Sequence, residues 1–189
     1  MAESEHRAIA RIGDAMRFDR IRRTRLRRRG CAVAALVGAI VLTIVMPLRP
    51  VLVWNASASA PIGLYGVTAP HDVQVSDMVI ARLPSAWRSL ADTRRYLPAT
   101  VPLVKRVAAA PGDTVCAVGQ DIFINGRRVT ERRLADGRGR PMPGWTGCTT
   151  LRDGAVFLMT DNPASFDGRY FGPTQRGELI GRAHLLWAR

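Results

Sequence analysis

Lysine is nearly absent from this chain. One residue, Lys105, stands against 27 arginines. The sequence uses arginine wherever a positive charge alone is needed. Arginine cannot act as a base near neutral pH, because its pKa lies above about 12. Lysine can, once burial among apolar groups lowers its pKa. Lys105 sits among Pro102, Leu103, Val104 and Val107, which supply such surroundings. It is therefore a candidate general base. The plainer alternative is a solvent-facing strand residue.

Histidine is also scarce, and His6, His71 and His184 have no recognisable motif beside them. That argues against a Ser-His-Asp triad. Of the three cysteines, Cys116 and Cys148 do not have metal-ligand spacing and no histidine lies near to complete a set. No metal and no cofactor are expected. The chain has no internal repeat and no low-complexity tract.

Positive charge, by contrast, is abundant at +13. A basic chain of this size invites a nucleic-acid reading. Its distribution argues otherwise. Residues 1–30 hold ten arginines against Glu3, Glu5, Asp14 and Asp19, a surplus of +6. No aromatic platform is interleaved with them. The cluster ends where an uncharged run, Gly30 to Leu48, begins. As a helix that run is about 28 Å long, close to the hydrocarbon core of a bilayer. Basic residues on its N-terminal flank place that end in the cytoplasm. Nucleic acid is disfavoured as a partner, and a lipid bilayer is favoured.

The expected organisation has three parts: a cytoplasmic Arg-rich segment (1–29), a single transmembrane anchor (30–48) and an extracytoplasmic domain (50–189). In a bacterium this is a single-pass protein of the inner membrane with a periplasmic domain. A cleaved signal peptide is the competing reading, since Ala56-Ser57-Ala58 mimics a cleavage site. The long charged segment and the length of the apolar run weigh against it. Cys31 falls at the cytoplasmic edge of the anchor. Cys116 and Cys148 fall in the translocated part, where disulfides form, and are predicted to pair.

The domain reads as mainly β and antiparallel. Strands are expected over 73–83, 101–108, 155–160 and 179–187. A helix is expected over 85–97, with Ser85 as its N-cap. Residues 115–129 read as a hairpin, turning at Asn125-Gly126 in a type I′ geometry. Residues 131–150 read as a surface loop.

Two segments carry chemistry: Asn55-Ala-Ser57-Ala-Ser59-Ala-Pro61-Ile-Gly63-Leu64-Tyr65 and Val104-Lys105-Arg106-Val107. Serine needs an activating base to attack an amide, and a neutral lysine can supply it. Here the pattern resembles the signal peptidase I superfamily of membrane-bound Ser/Lys peptidases (family S26). The serine segment looks like its nucleophile box. Lys105 to Asp113 looks like its general-base box. Asp161-Asn162-Pro-Ala-Ser165-Phe-Asp167-Gly168-Arg169-Tyr170-Phe-Gly172 resembles its C-terminal box, and Ile180 to Ala183 its closing strand. The Ser-x-Pro-x-Gly-Leu-Tyr form is similar to the TraF-type peptidases of conjugative transfer.

The resemblance implies a small antiparallel β catalytic domain of signal-peptidase type behind a single membrane anchor. It implies Ser59 as nucleophile and Lys105 as general base. The Ser59 backbone N–H and the Ser57 hydroxyl would form the oxyanion hole, and Ser165 would orient Lys105. Asp167 and Arg169 would form a supporting ion pair. The substrate would be a membrane-tethered precursor, a conjugative pilin subunit first and a secretory preprotein second, with a linear or cyclic product. A catalytically inactive component of a conjugation or secretion apparatus is the reading from another class.

Overall fold

The computed structural model describes residues 23–43, 50–57 and 60–189. The chain divides into two units between Arg49 and Pro50. In the first unit, residues 23–43 form a helix, α1, with exposed side chains, Cys31 among them. Its opening turns carry Arg23, Arg25, Arg27, Arg28 and Arg29, and the apolar run continues past its last described residue. Among the described residues no helix is long and apolar enough to cross a membrane. The expected anchor runs into residues 44–48, outside the described ones, and remains an expectation. Most of the expected cytoplasmic segment, residues 1–22, lies outside them too.

The second unit is built from two antiparallel sheets. The larger has the strand order β1-β2-β10-β3-β4-β9. These strands are β1 (Leu52–Asn55), β2 (Gly63–Thr68), β3 (Met78–Ala81), β4 (Leu103–Ala109), β9 (Phe157–Met159) and β10 (Leu179–Ala188). The smaller sheet runs β7-β6-β5-β8, from β5 (Thr114–Val118), β6 (Asp121–Ile124), β7 (Arg127–Glu131) and β8 (Gly147–Thr150). Every pairing between these strands is antiparallel, as expected for the domain. One core cluster joins the sheets, where Ala109 and Phe157 of the larger pack with Val115, Ala117 and Ile122 of the smaller.

Alternation along β4 positions the chemistry. Residues one step apart on a strand point to opposite faces. Lys105 is buried and its neighbour Arg106 is exposed. Val79 on β3 lies opposite Lys105, and Met78 opposite Arg106. On the other side of β4, Met159 of β9 lies opposite Arg106.

Several boundaries differ from the sequence-based expectation. The strand expected from Val73 begins only at Met78. Residues before it form a turn in which Asp77 Oδ2 accepts from the Gln74 N–H, and Ser76 has a positive φ of 77°. The polar turn chemistry outweighs the valines at 73 and 75. The helix α2 (Ser85–Thr93) is capped by Pro84, not Ser85, and makes no side-chain cap bond. The expected hairpin 115–129 is three strands, with a second tight turn at Gly119, whose φ is 58°. Its other turn is at Asn125 (φ 51°) and Gly126 (φ 78°), the left-handed pair a type I′ turn requires.

The expected loop 131–150 contains a strand, β8. Cys148 in β8 lies directly opposite Cys116 in β5, and the two form a disulfide. The rest of the loop is held in place. Tyr96 Oη donates to Asp136 Oδ2 at 2.5 Å, and the Arg140 guanidinium lies 5.4 Å from the Tyr96 ring centre.

Candidate active site

Lys105 is the centre of the site. Only 3% of it is exposed. Its Nζ donates a hydrogen bond to Ser165 Oγ, itself buried. Burial pushes the Lys105 ammonium down to about 8; the Asp167 carboxylate works against that shift and the Arg169 guanidinium adds to it. A lysine in this state holds a substantial neutral fraction near physiological pH, which a general base requires.

The C-terminal box is rigidly built. Asp167 and Arg169 form a bidentate ion pair, Nε to Oδ1 at 2.9 Å and Nη2 to Oδ2 at 2.7 Å. Both are fully buried. The pair is therefore no surface salt bridge of small worth. Removing one partner of such a pair costs about 3–5 kcal/mol. Asp167 also caps a short helix, α3 (Gly168–Phe171), by accepting from the Arg169 N–H. Arg169 Nη2 reaches back to the Asn162 carbonyl at 2.7 Å. Ser165 lies between these anchors. Gly168 is needed where it is, because a Cβ there would stand 2.7 Å from the Leu158 carbonyl oxygen.

The serine segment has its own organiser, Asn55, its first residue, to which sequence reasoning gave no role. Asn55 is buried at the end of β1. Its Nδ2 donates to the carbonyls of Ser57 at 3.0 Å, Ala60 at 3.1 Å and Pro61 at 3.1 Å. Its Oδ1 accepts from the Ser57 N–H. The Tyr65 hydroxyl donates to the Pro61 carbonyl at 2.8 Å. One side chain thus fixes both flanks of residues 58–59. Ser59 itself lies outside the described residues. The available signal was an asparagine at the end of a strand, a type that bonds its own backbone two residues on.

A cleft of about 610 Å³ brings these parts together. Asn55 and Ser57 line one side, Leu103, Val104 and Lys105 another, and Ser165 and Phe166 a third. Arg133, Asp136 and Met142 of the long loop close it. Of the expected site residues, Ser57, Lys105 and Ser165 meet in this cleft. Asp167 and Arg169 stand behind it. Cys116 and Cys148 belong to the other sheet. Among the described residues no cluster of His, Cys, Asp and Glu could hold a metal ion.

The family model for signal peptidase, peptidase S26, matches residues 26–188. The chain belongs to the S26 signal peptidase family. Within the family it is of TraF type. A plasmid transfer protein TraF from Escherichia coli is 34% identical over 142 residues, covering 72% of this chain and 77% of that protein. A conjugal transfer protein TraF from Agrobacterium fabrum is 31% identical over 176 residues, covering 88% and 97%. A signal peptidase I from Bacillus caldolyticus is 31% identical over a shorter stretch of 95 residues, covering 44% and 52%. The S26 chain therefore resembles its TraF relatives over most of their length and signal peptidase I over about half.

Proposed function

We propose that this S26 chain is a membrane-anchored serine endopeptidase in which Ser59 is the nucleophile and Lys105 the general base. The observation that carries the reading is the sole lysine of the chain, buried in a cleft and hydrogen-bonded to Ser165. Lys105, as the neutral amine, takes the Ser59 proton as Oγ attacks the scissile carbonyl. The Ser59 N–H and the Ser57 hydroxyl receive the developing oxyanion. Lys105 then hands its proton to the leaving amine. Water, or an amine of the same substrate, releases the acyl group and gives a linear or a cyclic product.

The substrate is a membrane-tethered precursor, a conjugative pilin subunit. The long TraF matches support that choice over general leader removal, for which the signal peptidase I match is shorter. The Arg cluster before the apolar run supports an inner-membrane anchor with a cytoplasmic N-terminus. The Cys116–Cys148 disulfide supports a periplasmic domain. An exposed apolar face agrees with work at a bilayer. Val51, Leu52 and Trp54 are 73%, 56% and 47% exposed, and Leu186 and Trp187 are 60% and 58% exposed. The two tryptophan rings touch, 5.7 Å apart. Tryptophans collect at membrane interfaces.

The test is the intact mass of a pilin precursor co-expressed with wild type, Ser59→Ala or Lys105→Ala. A shortened product with wild type alone is expected, and loss of a further water marks cyclisation. Equal processing by both variants would sink the mechanism.

A further inference from the structure

A second cleft, of about 430 Å³, opens on the other flank of the serine segment. Ser57 lines the main cleft, whereas Ala60, Pro61 and Ile62 line this one. Asn162 lines both, so the two clefts adjoin. A peptide whose two halves occupy the two clefts passes Asn162, which both share.

The two clefts differ in the state of their carboxylates. In the main cleft the carboxylate of Asp136 is fully engaged. It accepts from the Tyr96 hydroxyl and the Arg140 guanidinium, and from the N–H groups of Arg138 and Arg140. The second cleft holds Arg106 and Asp161, both exposed, and among the described residues neither side chain makes a hydrogen bond or ion pair. The β-sheet register brings the two near each other. Met78 and Met159 flank Arg106 across the sheet, and Asp161 follows Met159 by two residues. Thr160 also lines the cleft.

Which half of the substrate goes where follows from the order of events. The acyl half stays covalently attached through two chemical steps. The leaving half must depart before the acyl group is released. The larger cleft, which holds the general base and whose carboxylate is already engaged, suits the half that stays. The smaller cleft, which presents an acidic and a basic side chain without hydrogen-bond or ion-pair partners among the described residues, suits the half that leaves.

We propose that the second cleft is the leaving-side subsite, in which Asp161 and Arg106 select basic and acidic side chains of the segment beyond the scissile bond. The inference rests on the Ser/Lys peptidase reading and deepens it.

The experiment needs no natural precursor. The full chain in detergent is acylated with the p-nitrophenyl ester of a short apolar acyl group. The acyl-enzyme is then partitioned between water and a dipeptide amide: alanyl-lysine amide, alanyl-glutamate amide or alanyl-leucine amide. The amine nitrogen attacks the ester carbon; the C–N bond forms, the C–Oγ bond breaks, and the amine proton passes through Lys105 to Ser59 Oγ. The ratio of aminolysis to hydrolysis is taken within each variant, so slower acylation cancels. Asp161→Asn is expected to lower the preference for the lysine amide over the leucine amide by roughly two- to fivefold, the range of an exposed ion pair. Arg106→Gln is expected to lower the preference for the glutamate amide by a similar factor, and Asp161→Glu to restore the lysine preference. Ester turnover with preferences unchanged in both variants overturns the subsite alone. No turnover by wild type, or equal turnover by Ser59→Ala, removes the Ser/Lys reading and the subsite with it.

Discussion

Lys105 Nζ donates a hydrogen bond to Ser165 Oγ across 60 residues of sequence, and both side chains are buried. This bond ties strand β4 to the C-terminal box and sets the direction of the lysine. Burial also sets its acidity, at about 8. The base works only when neutral, so activity rises with pH through that value. Below it, acylation is expected to fall about tenfold per pH unit. The acylation rate measured from about pH 6 to 10 checks this. A rate independent of pH across that range would remove Lys105 as the titrating base. Ser165→Ala lowers acylation by roughly 10²-fold through loss of positioning, and Ser165→Thr, which keeps the hydroxyl, recovers most of it.

The Asp167–Arg169 pair tunes that acidity from behind. Asp167 raises the Lys105 pKa and Arg169 lowers it. Arg169→Met therefore moves the acid limb of the pH profile to higher pH, and Asp167→Asn moves it to lower pH. Each variant also loses about 3–5 kcal/mol of stability, because a buried charge is left alone. The position of the limb is the readout, since it does not depend on how much protein is folded. Limbs that move together in one direction would show that the two charges act only through the fold.

Much of this was legible in the sequence, for identifiable reasons. Lys105 stood out because arginine replaced lysine everywhere else. Strand β4 was legible because an apolar run ends at a Pro-Gly-Asp turn. The Asn125-Gly126 turn was legible because few residues accept two successive left-handed conformations. The segment before Met78 reads differently in the structure because Val73 and Val75 mimic strand alternation while Asp77 and Ser76 enforce a turn. The burial of Asp167 and Arg169 could not be read, because the same residues two apart on a surface loop give the same pattern. The role of Asn55 was not read because its bonds to the Ala60 and Pro61 carbonyls, five and six residues on, have no sequence signature.

Asn55 offers a separate test of the serine segment. It satisfies three carbonyls and one N–H around residues 58–59. Asn55→Ala strands these groups at a cost of about 1–3 kcal/mol. A displacement of about 1 Å at a nucleophile costs on the order of 10²-fold in rate. The expected result is a kcat lowered by up to that factor with little change in KM. Asn55→Asp, which loses the donor but keeps the acceptor, should fall nearly as far. Activity within about twofold of wild type in both variants would mean that the segment is held without this side chain.

The buried lysine also predicts a conflict between activity and stability. Its folded pKa of about 8 lies below the ordinary 10.5. Between these values the unfolded chain binds a proton that the folded chain does not. Stability therefore rises with pH across that window and is lowest below pH 8. Near neutral pH the folded state carries a cost of about 3 kcal/mol, since each pH unit separating the two values is worth about 1.4 kcal/mol. Lys105→Met removes the charge and keeps the length of the side chain. Its melting temperature is expected to exceed that of wild type by several degrees at neutral pH, with the gain fading as pH approaches 10.5. The variant is also expected to be inactive. An equal gain at neutral pH and near the upper end of that window would trace the effect to packing. A loss at neutral pH would mean that the Ser165 bond outweighs the burial of charge, and that Lys105 stays protonated in the folded chain.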